Sequence, residues 1–246
     1  MLEVDFHSHS LFSTCGIHTI IEMLSSARNK GLKALAITDH GTAQDGHISS
    51  PFFDRLVNPV DGIIMLKGQE SNVVNDTGDI DFPVKFLKFV DVVLLGLHPN
   101  LDKLPRKSDY TDMLIRALEK NPYVDIITHL NDTAYPVDYD RVIATVKRLG
   151  MAIEFNNSKV LYKRVPDDVT LRLIDACKRS GCRAVIDSDA HTVHEIGLDD
   201  SIRPLIDSIG FPGELIINNN SKRAFEFIEE RRRIKLERFD ISCRKA

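Results

Sequence analysis

The chain is poor in cysteine: 246 residues hold only Cys15, Cys177, Cys182 and Cys243, and no two of them form a Cys-x-x-Cys pair. No basic segment leads into an apolar run and a cleavage site at the N-terminus, so the expected setting is the reducing cytoplasm. Long hydrophobic runs are missing as well. The longest, such as VDVVLLGLH, are too short and too interrupted to cross a bilayer, which excludes a membrane partner of that kind. A charge excess is also absent. With 32 basic and 36 acidic side chains the net charge is −4, so no global field attracts nucleic acid or an anionic surface. Without a strip of aromatic and basic residues, a long polynucleotide is a poor candidate partner. Finally, no Pro- or Gly-rich linker, repeat or low-complexity block divides the sequence. One domain over residues 1–246 is expected, with the basic stretch 231–246 (RRRIKLER) as a solvated helix end.

What the sequence does have is alternation. Short apolar runs (LEVDFH, LKALAITDH, GIIMLKGQE, DVVLLGLH, YVDIITH, MAIEFNNS, CRAVIDSD) alternate with stretches of helical period (IIEMLSSARNKG, YTDMLIRALEKN, DRVIATVKRLG, DVTLRLIDACKRSG, SIRPLIDSIG). Strands separated by helices imply parallel βαβ units, and seven such runs predict an α/β fold: a closed or nearly closed (βα)7 barrel, TIM-like, with an open doubly wound sheet as the alternative.

Each apolar run ends in a residue able to bind metal or substrate. The ends are His7 and His9, His40, Glu70, His98, His129, Asn156 with Asn157, and Asp189 followed by His191. Each alone has a bland explanation as a helix cap, a turn residue or a loop acid. In a parallel barrel, however, all strand C-termini lie on one face, and six of the nine histidines fall at these ends. Imidazoles with two carboxylates and at most one thiol suit zinc foremost, or manganese or iron, rather than magnesium or calcium. The ligands exceed what one four-coordinate ion can use, so two or three divalent ions are expected, with Glu70 bridging. Alternation places Asp5 on the inner face beside His7, and Asp39 adjoins His40; both are expected to orient ligand imidazoles.

These motifs in this order, HSHS, ITDHG, a Glu after the third strand, GLHP, ITH and SDAH, resemble the polymerase and histidinol phosphatase (PHP) family from Phe6 to about Ile228. The likeness is to its stand-alone bacterial phosphoesterases of the YcdX type. It implies a distorted (βα)7 barrel with three ions: one held by His7, His9, Glu70 and Asp189, a second by Glu70, His98 and His129, a third by His40 and His191. The remaining ligand of the third is a histidine in such relatives, where this sequence has Cys15. A thiolate serves zinc well, and His18 offers an imidazole to the same region as a Cys-x-x-His pair. A second departure is Asp187, where the motif usually has a small residue.

The reaction this suggests is hydrolysis of a small phosphorylated metabolite or nucleotide, with a hydroxide bridging ions near Glu70 as nucleophile and Asp189 or His191 protonating the leaving group. Cations in loops beyond strands four and six, Lys103, Arg106, Lys107, Lys159, Lys163 and Arg164, with Asn156 and Asn157, are the candidate substrate contacts. The rivals are amidohydrolase-type cleavage of a C–N bond, on the same barrel chemistry, and a metal-binding domain without turnover. An oligomer is compatible with everything above.

Overall fold

The computed structural model describes residues 2–99 and 109–243. Seven strands, β1 (Val4–Asp5), β2 (Ala34–Ile37), β3 (Ile64–Asn72), β4 (Val92–Gly96), β5 (Ile126–Ile127), β6 (Ala152–Asn156) and β7 (Ala184–Asp187), lie parallel in chain order. β3 is the longest because it changes partner: residues 64–67 pair with β2 and residues 68–72 with β4. Alternation along each strand sorts two buried clusters. Leu35, Ile37, Met65, Val93, Leu95, Ile127, Ile153 and Ile186 face the helices. Val4, Phe6, Ala34, Ala36, Leu66, Val92, Leu94, Ile126, Ala152 and Val185 fill the interior.

The helices are α1 (Ile20–Asn29), α2 (Ser50–Asp54), α3 (Tyr110–Lys120), α4 (Tyr139–Arg148), α5 (Asn157–Leu161), α6 (Asp167–Ser180), α7 (Arg203–Ile209) and α8 (Ser221–Cys243). Local chemistry sets their ends. Thr19 and Glu22 make a reciprocal capping box on α1, and Asp109 and Asp138 cap α3 and α4. Their apolar stripes, such as Met113, Leu114, Ala117 and Leu118 of α3, cover the outside of the sheet.

Between β1 and β7 the barrel is stitched rather than paired. At the mouth, Ser8 bridges to Ala190, and the His9 amide donates to the Ala190 carbonyl at 2.8 Å. Lower down, the Asn218 side chain fills the seam: its Nδ2 donates to Val4 O (2.9 Å), Ile186 O (2.5 Å) and Asp187 Oδ1 (3.0 Å), while its Oδ1 accepts from Ile186 N (2.9 Å). Asp187 Oδ1 also accepts from Phe6 N at 2.8 Å. Asp187 is thus a seam residue. Burial, with Asp5 and Glu154 nearby, pushes its carboxyl well above the usual carboxylate range.

In the basic stretch from residue 231, Arg232 and Arg233 are exposed, as a solvated helix end requires, but Arg231 and Lys235 are not. α8 closes the floor of the barrel, packing Ala224, Phe227 and Ile228 against the interior cluster. One turn on, Arg231 and Lys235 are both fully buried. Arg231 Nε and Lys235 Nζ lie 3.0 and 2.6 Å from the two oxygens of Asp125. Arg231 also donates to the carbonyls of Leu149, Pro122 and Val124, and Lys235 to that of Asp91. Cations so placed satisfy carbonyls at the ends of the β-strand connections that water cannot reach.

Candidate metal centre

The opposite end of the barrel gathers the predicted strand-end residues. Glu70, on β3, lies at their centre. Its Oε2 is 3.3 Å from His7 Nε2, 3.5 Å from His9 Nε2 and 3.0 Å from His40 Nδ1. Its Oε1 is 2.9 Å from His129 Nε2 and 3.3 Å from His98 Nε2. Asp189 Oδ1 completes the first side at 3.5 Å from His7 Nε2 and 3.3 Å from His9 Nε2. The crowding is possible because residue 96 is glycine: a Cβ there would lie 2.5 Å from His98 Cε1 and 2.9 Å from His129 Cε1. His129 and Asp189 adopt φ of 29° and 51°, a strained region that other residues than glycine accept mainly at functional positions.

The ring nitrogens turned away from the centre are held. His7 Nδ1 lies 2.5 Å from Glu154 Oε1, and His191 Nδ1 donates to the Asp189 carbonyl at 2.8 Å. His9 Nδ1 meets Ser13 Oγ at 3.3 Å, and Ser13 donates in turn to Asp39 Oδ1 at 2.7 Å. Fixing Nδ1 in this way presents Nε2 as a lone pair, the usual arrangement around a ligand imidazole. His129 Nε2 and Thr128 Oγ1 both reach Glu70 Oε1 at 2.9 Å, but other inward atoms lack partners. Nε2 of His7 and of His9 face each other at 3.0 Å, neither ring nitrogen of His98 is hydrogen-bonded, and His40 Nδ1 approaches Glu70 without hydrogen-bond alignment. Buried lone pairs left this way each cost about 1–3 kcal/mol. A donor set of converging imidazoles and carboxylates removes that cost when it holds cations, and the residues present fit divalent transition metals.

Charge in the centre is arranged accordingly. Burial would raise Glu70, but His7, His98 and His40 with the His129 contact hold it well below the usual carboxylate range; Asp189 is held down by His7 and His9 in the same way. Burial and the neighbouring His40 drive His9 down to about 3. Against burial, Glu70 and Cys15 lift His40 to about 10, and Cys15 and Asp189 lift His191 to about 9. Cys15, which burial would raise, is brought to about 7 by hydrogen bonds from His191 and His40.

Among the described residues, three groups have donor atoms all within 4.8 Å of one another: His7, His9 and Asp189; His40, Glu70 and His98; and His9, Cys15 and His40. Cys15 thus lies with His40, as expected for the third set, but the third member of that group is His9; His191, expected there, meets the thiol only through a hydrogen bond. His18 joins none of these groups; it lines a surface groove with Ile21, Glu22, Val193 and His194.

Two expectations for orienting carboxylates change: Asp39 accepts from Ser10 and Ser13 rather than from the His40 ring, and Asp5 has a different partner set. Asp5 does not share the inner face with His7, because Val4 and Phe6 occupy that face. Asp5 takes hydrogen bonds from Ser188 Oγ (2.5 Å), Gly197 N (2.8 Å) and the His7 amide (3.3 Å), so it steadies the His7 backbone rather than its ring and anchors the segment that carries Asp189 and His191. The carboxylate that orients His7 is Glu154, which also accepts from the His129 amide at 2.7 Å. The strand run containing it is otherwise apolar, and an acid buried in such a run was the available signal.

Of the substrate candidates, Asn156 caps α5 through Lys159 N and donates Nδ2 to Glu154 Oε2 (3.0 Å) and Asp189 Oδ2 (3.2 Å). Asn157 is buried, and its Oδ1 accepts from the amides of Ser201 and Ile202, so its role is structural. Lys159 Nζ pairs with Asp132 at 2.7 Å, and the Arg164 guanidinium lies 5.4 Å from the Tyr162 ring centre on the surface. Lys163 is exposed. Lys103, Arg106 and Lys107 lie outside the described residues.

Known proteins share this arrangement of chain and fold. A probable phosphatase of Shewanella loihica is 36% identical over 235 residues, covering 93% of this chain and 94% of that protein. One from Caldicellulosiruptor saccharolyticus is 35% identical over 230 residues, covering 92% and 96%. The histidinol phosphate phosphatase of Lactococcus lactis, solved with zinc, L-histidinol and phosphate, superposes with a TM-score of 0.64 at 17% identity over 85% of this chain and 94% of that one, a likeness of fold. The family model described as PHP domain matches residues 5–235, a span that holds β2–β7, the last residue of β1 and every member of the His, Glu and Asp centre. The chain belongs to the PHP domain family.

Proposed function

We propose that this enzyme is a metal-dependent phosphatase that hydrolyses the phosphoester of a small phosphorylated metabolite or nucleotide at a centre of two or three divalent ions, zinc foremost. The observation that carries the reading is the division of Glu70. One oxygen faces His7, His9 and His40, the other His98 and His129, which is the geometry of a carboxylate shared between neighbouring cations. The relatives' shared description as probable phosphatases agrees with that chemistry. When bound, such ions hold phosphate oxygens, lower the pKa of water and offset charge on the leaving oxygen.

The chain's own residues do the rest. Glu154, Ser13 and the Asp189 carbonyl fix the tautomers of His7, His9 and His191, so these rings meet an ion without reorganising. Glu70 and Asp189 stay ionised and offset the positive charge of the centre. Asp189 is therefore a ligand and carries no proton to give a leaving group at neutral pH. His191, with Nδ1 committed to a carbonyl and a hydrogen bond to Cys15, stands beside the group formed by His9, Cys15 and His40 and adds its imidazole to the third set. Water at the mouth is then the proton source for the departing alcohol. Lys159 stands beside the centre, and an arriving phosphate competes with Asp132 for its ammonium group.

The test is turnover by the zinc-loaded protein on phosphomonoesters, nucleoside phosphates, short oligonucleotides and amides, with Glu70→Ala as control. Phosphate release from small esters that Glu70→Ala abolishes is expected. Amide cleavage without phosphate release would overturn the reading in favour of C–N hydrolysis, and metal binding without any turnover would favour a non-catalytic domain.

A further inference from the structure

The loop after β1 is tightly folded. Ser13 N donates to Ser10 O at 3.0 Å, Gly16 N to Ser13 O at 3.1 Å, and Ile17 N to the His191 carbonyl at 3.2 Å. Only glycine fits at residue 16, where a Cβ would lie 2.0 Å from the Ser10 carbonyl oxygen. This turn fixes Cys15 at the rim of the centre. Its sulfur groups with His9 and His40 and takes hydrogen bonds from His40 and His191, yet the residue is exposed to solvent. Cys177 and Cys182, by contrast, are fully buried away from solvent. A cysteine that is at once accessible and grouped with metal-ligating imidazoles is held as a thiolate when an ion is bound and stays open to oxidants.

We propose that Cys15 is a peroxide-sensitive ligand, whose oxidation releases the ion of the third set and thereby switches the enzyme off. This rests on the metal-binding reading given above and adds a regulation to it. The Cys15 thiolate attacks one oxygen of hydrogen peroxide. An S–O bond forms, the O–O bond breaks and hydroxide leaves, so sulfur is oxidised by two electrons to a sulfenic acid and the peroxide is reduced. The thiolate pair that served the ion is lost. Among the thiols whose surroundings are described, Cys177 and Cys182 are buried, so neither is a partner for the sulfenic acid to condense with. An external thiol restores it: a first equivalent gives a mixed disulfide and water, and a second releases the Cys15 thiol.

The experiment uses the full chain loaded with zinc and treated with hydrogen peroxide at low molar excess. Zinc released is read with a chromogenic chelator, and sulfenic acid is trapped with a cyclic 1,3-dione and mapped by mass spectrometry. The expected result is loss of part of the bound zinc, with label on the peptide containing Cys15, and recovery after dithiothreitol and fresh zinc. Cys15→His, which keeps a ligand and removes the oxidisable atom, should hold its zinc through the same treatment. Cys15→Ser should bind less zinc before treatment and release none in response to it. Zinc retained by the treated wild-type protein, equal loss from Cys15→His, or label first on Cys177 or Cys182 would each overturn the switch while leaving the phosphatase reading standing. An untreated protein that takes up no metal would overturn both.

Discussion

Glu154 shows how much of the centre depends on a residue that touches no candidate ligand atom directly at the mouth. One oxygen fixes the His7 ring and the other holds the His129 amide, whose residue sits at an unfavourable φ. Glu154→Gln should therefore lower metal affinity or kcat/KM by about 10–100-fold while the protein still folds. Metal titration and steady-state kinetics on the same preparation check this, and unchanged values in both would refute the role. At the rim, Lys159 pairs with Asp132, and if an arriving phosphate takes its ammonium group as proposed, Lys159→Ala should raise KM for a phosphorylated substrate more than it lowers kcat. Equal loss in both parameters would place Lys159 elsewhere in the reaction. The ligands themselves were legible because a parallel barrel brings every strand end to one face, so position in the sequence stood in for position in space. Glu154 and Asn218 were not. The first lies mid-strand on the inner face of β6 between Ala152 and Asn156, away from the strand end, and the second owes its role to a seam between the first and last strands, about which neither strand's own sequence says anything.

Helices and strands were legible through their periods: the five helical stretches and seven apolar runs correspond to α1, α3, α4, α6, α7 and to β1–β7. Short α2 and α5 carry too few residues for a period to show. The floor of the barrel was misread for a different reason. Three consecutive arginines in a polar helix look solvated, and only a partner 106 residues away makes Arg231 an interior residue. Asp125 pairs with both Arg231 and Lys235 at full burial, so Asp125→Ala leaves two cations without a counter-charge. A loss of about 3–5 kcal/mol in unfolding free energy is expected. Urea denaturation measures it, and the mouth lies at the other end of the barrel, so kcat per folded molecule should change little. A loss below ~1 kcal/mol would show that water reaches the pair.

At the scale of the whole molecule, an apolar body with a neutralised floor carries a mouth whose charge is balanced by protons until cations replace them. In the metal-free protein His40 is held up to about 10 and His191 to about 9, against an ordinary value of 6.5, and His7 is raised as well by Glu70 and Glu154 in spite of burial. A group raised on folding contributes stability that is whole below its unfolded value and disappears as pH climbs through its folded value. Two thiols act in the opposite sense: Cys15, brought from 9.0 to about 7, and Cys182, lowered by its hydrogen bond with Cys177, both add stability as pH rises toward 9. Three imidazoles outweigh two thiols. The melting temperature of the chelator-treated protein should accordingly fall between pH 7 and pH 9, as read by calorimetry in buffers of equal ionic strength. Zinc should raise it most at the alkaline end, because the ion displaces the same protons and its affinity grows as they leave. Zinc uptake at pH 7 should then release protons, seen as a dependence of the binding heat on the ionisation enthalpy of the buffer. A metal-free protein whose melting temperature rises over this interval would mean that the imidazoles of the mouth are already neutral, and that Glu70 and Asp189 are balanced by something other than protons on their neighbours.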